Sequence, residues 1–204
     1  MGAVGKAVSN LIPINLYNVT YYDINGIDTI DRSKPIYILH YTVPFIEMKE
    51  WLDSFYGFVM KHKPKIVIIE STIVPDVVGL IKLFNYNGSF FYSPIRATER
   101  IMKEQIKMKK KYIAPIKYLK EDLQIIRDYF NSLYKKGVSI FSDAKALVLG
   151  KLFETTQFGV NIALVKVLDK YCKKEGISFG YLNNTELIVS PLATLSSVFL
   201  MISS

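Results

Sequence analysis

Apolar residues recur along this chain in two alternating rhythms. Short β-branched or aromatic runs fall at 19–22, 36–41, 66–69, 90–92, 112–116 and 138–141, and several of the segments between them carry a helical period. The clearest helix signal is the stripe Met48, Trp51, Leu52, Phe55, Phe58 and Val59, with Lys and Glu on the opposite side. Residues 66–69 are apolar without a break, the pattern of a parallel strand covered on both faces. Pro75 then stands where prolines open helices, in the first turn. A second amphipathic stretch, 121–136, aligns Leu123, Ile126, Tyr129, Phe130 and Leu133 and stops at Gly137. Strand–helix alternation of this kind predicts an α/β domain with a mainly parallel sheet.

After 138–141 the rhythm changes. Ser142 and Asp143 can cap a helix that runs to about Glu175 and is ended by Gly176. That is roughly 32 residues, about 48 Å at the α-helical rise. A small sheet domain cannot cover so long a helix, so it is expected to pack on a second domain or a second subunit. Residues 144–175 are the surface that such a partner would cover. Gly159 in mid-helix costs roughly 1 kcal/mol relative to alanine in isolation, a cost that close packing of another backbone would offset. Internal repeats and low-complexity linkers are absent from the sequence.

Composition narrows the class. The chain has 204 residues, half of them hydrophobic, enough for one substantial core and too apolar for a disordered tail. One cysteine, Cys172, excludes an internal disulfide framework and a cysteine-based zinc cluster, and suits a reducing, cytoplasmic location. His40 and His62 lack metal-ligand spacing, and neither a G-x-S-x-G elbow nor a Walker lysine pattern occurs. The only long uncharged apolar stretch is 187–204, which contains Pro191 and five serines. It is short for a membrane span, and a docked helix or oligomer contact is expected there instead. The N-terminus carries no basic-then-apolar signal pattern.

A net charge of +8 admits an anionic partner. Residues 96–120 hold nine Lys/Arg against Glu99 and Glu104, with Tyr112 and Tyr118 among them. Such a segment is a reasonable nucleic-acid footprint. It reads equally as a solvated helix face beside the phosphate side of a nucleotide pocket.

The first residues, MGAVGKAV at 1–8, open a helix over about 3–11, and Asp23 follows the apolar run 19–22. A dinucleotide-binding βαβ unit reads strand, G-x-G-x-x-G, helix, strand, then an acid roughly 20 residues on. Gly2 and Gly5 match the second and third glycines, and Asp23 the ribose-binding acid; its plain alternative is a turn residue before Asn25 and Gly26. The first glycine and its strand would precede Met1. The expected architecture is thus a Rossmann-like domain over 1–142, its first strand missing, followed over 143–204 by the long helix and a small helical C-terminal piece. In a Rossmann sheet that strand would lie between those ending at Asp23 and at Glu70. Each backbone group left unpaired there would cost on the order of 1–3 kcal/mol if buried. Either the start lies upstream, or residues near 187–189 or a partner chain fill the slot.

The stretch KLFETTQFGVNIALV at 151–165 resembles the central helix of the nucleotide-sugar dehydrogenases, the UDP-glucose and GDP-mannose dehydrogenase family, usually K-L-x-E-N-T-Y-x-A-x-N-I-A-L-x-N-E. Three further segments look like the same family in the same order: ILHYTVP at 38–44, ESTIVP at 70–75, and YSPIR at 92–96 continuing to Glu99. The resemblance covers roughly residues 1–176. It implies NAD as cofactor, held by Gly2, Gly5, Asp23, Thr42 and Thr72, and a nucleotide sugar as substrate. The implied catalytic residues are Lys151, Glu99, Thr72 and Thr155, and the implied assembly is a dimer through the central helix.

Those positions also have a physical reading. An ammonium on a helix with a hydroxyl at i+4, as in Lys151 and Thr155, can hold a water or a developing alkoxide; the plain alternative for Lys151 is a solvated lysine. Thr72 follows a buried strand at the edge where α/β sheets bind ligands, or else caps the helix opening at Pro75. Glu99 matches a family acid/base carboxylate, or else pairs with Arg96 or Arg100.

The departures are as specific as the matches. Family members oxidise a sugar alcohol twice through a cysteine in a Gly-rich loop of a third domain, and this sequence holds neither the loop nor the domain. Cys172 lies within the long helix and is not assigned the nucleophile's role, so the covalent step lacks its thiolate. Ile95, Thr155 and the pair Lys166 and Val167 replace family residues. The expected activity is therefore reduced or lost relative to an NAD-dependent oxidoreductase acting on the CH–OH group of a nucleotide sugar. A non-catalytic dimeric scaffold and a basic nucleic-acid-binding protein on the same Rossmann scaffold stand as alternatives.

Overall fold

The computed structural model describes residues 2–23, 27–96, 106 and 108–178. The chain divides into two compact units, residues 1–153 and 154–204.

The first unit is built on a five-stranded sheet of order β3-β4-β5-β6-β7. Its strands are β3 (Ile38–Tyr41), β4 (Ile66–Ile69), β5 (Ser89–Tyr92), β6 (Lys111–Lys117) and β7 (Val138–Ile140). β3, β4 and β5 run parallel, β6 is antiparallel to β5, and β7 is parallel to β6. Every residue of β4 and β5 is buried, as the unbroken apolar runs require.

Alternate strand residues face opposite ways, and each face takes its own helices. Val67, Ile69, Phe90, Tyr92, Ala114 and Ile116 pack under α2 (Met48–His62), α3 (Pro75–Leu83) and the first turns of α5 (Ala144–Lys174). Ile66, Ile68, Phe91 and Ile113 pack under α1 (Ala3–Ser9) and α4 (Lys120–Leu133). The α2 stripe sends Trp51, Leu52, Phe55 and Val59 into the first of these cores, each such side chain contributing about 1.5–3 kcal/mol on burial.

The punctuation works locally. The Glu47 side chain accepts the Glu50 N–H at the head of α2, and Asp143 Oδ1 accepts the Lys145 N–H at 2.8 Å at the head of α5. Pro75 occupies the first turn of α3. Gly176, at φ +68°, ends α5 as expected of a glycine C-cap, whereas α4 ends at Leu133 with an extended Tyr134 as its cap, and Gly137, at φ +69°, instead forms the turn into β7, its N–H donating to the Tyr134 carbonyl.

Two expectations about the N-terminal region are corrected. The run 19–22 does not supply a strand of the parallel sheet. β1 (Tyr22–Asp23) pairs antiparallel with β2 (Ile27–Asp28) in a separate two-stranded sheet, closed by Tyr21 and Thr29 exchanging backbone and hydroxyl hydrogen bonds. A partner a few residues away closes a hairpin at less entropic cost than a distant sheet edge does. The place beside β4 is not a gap either, because β3 pairs with it in register from Ile38↔Ile66 to Tyr41↔Ile69. Among the described residues β3 is an edge strand, and the strand order shows no reversal.

Of the second unit, residues 154–178 are described: the remainder of α5 and its close, where the Ile177 N–H donates to the Cys172 carbonyl. The expected C-terminal helical piece beyond them, with the stretch 187–189, lies outside the described residues. Among the described residues no helix is long and apolar enough to cross a membrane.

Candidate functional site

The carboxyl ends of β3, β4 and β5 lie side by side, and the loops leaving them are tied to one another. The Glu70 N–H donates to the Tyr41 carbonyl (3.0 Å) and the Ser93 N–H to the Ile69 carbonyl (2.9 Å), carrying the ladder past the strands. Ser71 Oγ donates to the Val43 carbonyl at 2.6 Å, and Trp51 Nε1 reaches the same oxygen at 3.2 Å. This edge holds Thr42, half-buried, and Thr72, exposed. The N-cap of α3 is Val74 and no side chain caps it, so Thr72 does not serve as that cap.

Beneath the edge lies a buried polar row that sequence reasoning did not single out. Glu70 and Lys111 are each only 3 % exposed, and Lys111 Nζ donates to Glu70 Oε1 at 2.8 Å and to the Ser93 carbonyl at 3.0 Å. His40 Nδ1 lies 3.1 Å from Glu70 Oε2, and His40 Nε2 lies 2.8 Å from the Tyr129 hydroxyl. An ionised carboxylate only accepts, so Nδ1 carries the imidazole proton; in the neutral ring Nε2 then accepts from Tyr129. The rings of Phe130 and Tyr134 stand 5.1 and 5.6 Å from the Lys111 ammonium.

Burial pushes the Glu70 carboxyl up, but the positive charges of Lys111 and of a protonated His40, with the hydrogen bonds from both, outweigh it and hold the group at about 2. The Lys111 ammonium is lowered by burial, with Glu70 acting against that shift. The Tyr129 hydroxyl is raised, first by burial and then by Glu70, so it serves as a donor throughout the neutral range. The row is an ion pair with a histidine and a tyrosine in series, running from β3 through β4 to β6 and α4.

The expected site residues are distributed as follows. Thr42 and Thr72 share the carboxyl edge. Gly2 is the N-cap of the seven-residue α1, Gly5 lies in its first turn, and a Cβ at Gly2 would meet nothing within 4 Å. Asp23 is half-buried in the β1–β2 hairpin, apart from the main sheet. Lys151 lies half-buried on α5 in the first unit, and Thr155, exposed, falls within the second. Glu99 lies outside the described residues. Among the described residues of the basic segment 96–120, Lys111 turns into the polar row and Lys117 onto the carbonyls of Phe84 and Tyr86 at 3.1 Å each.

The signal for the polar row was parity. His40 stands two residues after Ile38, Glu70 two after Ile68, and Lys111 two before Ile113, all on the α1/α4 face of the sheet.

No protein-family model matches the chain, and no curated protein does. Solved structures do. A UDP-D-ManNAc dehydrogenase from Pyrococcus horikoshii superposes with a TM-score of 0.58 at 17 % identity, over 71 % of this chain and 38 % of that one. A putative oxidoreductase from Mycobacterium avium gives 0.67 at 16 % identity over 89 % and 69 %. An imine reductase from Myxococcus stipitatus in complex with NADP+ gives 0.64 at 12 % identity over 98 % and 73 %. The chain spans about two fifths of the length of the UDP-sugar dehydrogenases it resembles. Likeness at this identity establishes the fold: a Rossmann-type α/β sheet of the kind found in dehydrogenases and reductases.

Proposed function

We propose that the chain is a nicotinamide-dinucleotide-binding module of the nucleotide-sugar dehydrogenase type. The observation that carries this reading is the carboxyl edge of the sheet, where Thr42 and Thr72 end adjacent parallel strands on a floor fixed by Ser71 and the Glu70–Lys111 pair. The likeness to solved dehydrogenases and the motif at 151–165 support it. The reading assigns the dinucleotide to the hydroxyls at the edge, to Gly2 at the head of α1, where a Cβ would meet nothing within 4 Å, and to Asp23 as a ribose acceptor. When bound, the nicotinamide would accept a hydride from the substrate carbon. In this reading Lys151 steadies the oxygen that becomes an alkoxide, with Thr155 one turn along the same helix, and Glu99 takes the hydroxyl proton. Thr72 orients the substrate against the cofactor.

Calorimetric titration with NAD, NADP and UDP-sugars tests it. Saturable heat with a dinucleotide, weakened by Asp23→Ala, is the expected outcome. Absence of heat with every ligand would overturn the reading and leave a scaffold. The reading includes a homodimer through 144–175. It is supported by the exposed apolar residues of the second unit, among them Phe158, Val160, Leu164 and Val167 at 45–64 % exposure. A monomer by light scattering at micromolar concentration would remove that part alone.

A further inference from the structure

At the end of the sheet opposite the carboxyl edge, where β5 begins and the antiparallel β6 finishes, the surface opens into a groove of about 320 Å³. That volume is in the range of small-ligand sites. Asn85, Tyr86, Asn87 and Gly88 form one wall, and Lys117, Tyr118 and Leu119 the other.

Both walls are set in advance. The Tyr86 hydroxyl donates to the Pro64 carbonyl at 2.6 Å, and its ring stacks on Phe84 at 8° with centroids 5.8 Å apart. Lys117 Nζ donates across to the carbonyls of Phe84 and Tyr86, joining the two walls. Gly88 admits no side chain, since a Cβ would lie 2.5 Å from the Tyr86 ring and 2.9 Å from the Lys65 carbonyl. On the other wall the Leu119 N–H donates to Ser89 Oγ at 3.0 Å, and Ser89 Oγ donates to the buried Asp122 at 2.6 Å. A groove fixed this way holds its shape without a ligand, which reduces the ordering cost of binding one.

The chemistry of the walls selects a class. Asn85 and Asn87 each carry a carboxamide that both donates and accepts. Tyr118, 46 % exposed, presents a ring on the rim. The only charged lining residue, Lys117, directs its ammonium at two carbonyls, so the groove is poorly furnished for a phosphate. Carboxamides with an aromatic face match a pyranose, whose vicinal hydroxyls pair with amides and whose C–H face lies on a ring. We propose that this groove is a saccharide-binding site for a neutral pyranose unit, separate from the nucleotide edge.

The test is amide-resolved NMR of the whole chain titrated with glucose, mannose and N-acetylglucosamine, and separately with adenosine and uridine. A sugar should shift the side-chain amides of Asn85 and Asn87 and the Gly88 N–H in a saturable way. Tyr118→Ala should weaken that binding by about tenfold, the loss of one aromatic contact. Asn87→Ala, at an exposed position, should weaken it while leaving the remaining resonances in place. Overturning results are no saturable shift with any sugar, shifts with the nucleosides alone, or sugar binding indifferent to both substitutions. None of these outcomes depends on whether the carboxyl edge binds a dinucleotide.

Discussion

The buried Glu70–Lys111 pair makes a sharp stability prediction. In Lys111→Met the flexible thioether replaces the lysine stem among Phe130 and Tyr134, so the packing change is small and the loss is of charge. Glu70, 3 % exposed, is then left with His40 as its remaining described side-chain partner. Breaking a buried pair from one side costs about 3–5 kcal/mol, a large part of the roughly 5–15 kcal/mol that holds a typical domain. Glu70→Gln should cost a similar amount by stranding the Lys111 ammonium. The double variant Glu70→Gln, Lys111→Met carries no buried charge and should return to within about 1–2 kcal/mol of the parent, because neutral replacements of a buried ion pair are often tolerated. Urea unfolding followed by fluorescence of the single tryptophan, Trp51, itself 3 % exposed, measures all four species.

The pH profile adds an independent sign. Glu70 sits at about 2 in the folded protein against an ordinary value of 4.5, so its contribution is fully present above 4.5 and is lost as pH falls toward 2. In Lys111→Met the carboxyl loses the positive charge that opposes its burial, so its folded value moves up from that low position. Acidification from 4.5 toward 2 should therefore cost the variant less stability than it costs the parent, and the gap between the two narrows as pH falls through that window. A Lys111→Met cost under about 1 kcal/mol, the range of ordinary substitutions, would refute the reasoning. So would a double variant whose loss equals the sum of the single losses.

Two further substitutions probe the walls of the groove. Gly88→Ala forces a Cβ against the Tyr86 ring and the Lys65 and Pro64 carbonyls at 2.5–3.1 Å, and should lower stability by about 1–3 kcal/mol in the same urea assay. Ser89→Ala removes the oxygen that accepts the Leu119 N–H and donates to Asp122, leaving Lys65 at 3.2 Å as the other described partner of that carboxylate. It should cost about 1–3 kcal/mol and speed hydrogen exchange at Leu119; unchanged exchange there would show that the hydroxyl does not hold that N–H.

Much of the sheet could be read from single segments because its central strands are buried on both faces. Residues 66–69 are apolar throughout and become β4 with those same limits, and 90–92 become the end of β5. The α2 stripe and the glycine at 176 act within one or two turns, so their signals are local as well. The run 19–22 misled because its composition suits any strand. What decided its fate was the hairpin partner Ile27–Asp28, and propensity alone does not choose between a short hairpin and a sheet position. The site was less legible for the same reason. His40 and Tyr129 are 89 residues apart and Glu70 and Lys111 are 41 apart, so each partner is visible only once the strands are laid side by side.

Strand parity, counted across the sheet, does recover the row. Each strand's α1/α4 face is an apolar series, and the step of two that continues it past Ile38, Ile68 and Phe91 arrives at His40, Glu70 and Ser93. One step back from Ile113 arrives at Lys111. Four strands thus exchange an apolar layer for a polar one at the same height, the carboxyl edge, and nowhere else does the buried core of this sheet hold an ion pair between strands among the described residues. A buried ion pair is weak evidence for stability, since apolar residues of similar volume often serve as well. What this row does that an apolar layer could not is hold specific main-chain atoms. Lys111 grips the Ser93 carbonyl at the turn leaving β5, and Glu70 leads directly into the Ser71 hydroxyl that clasps the loop leaving β3. The polar layer therefore sets the positions of the three loops on which Thr42, Thr72 and Pro94 stand, and its place at the carboxyl edge of the sheet follows from that duty.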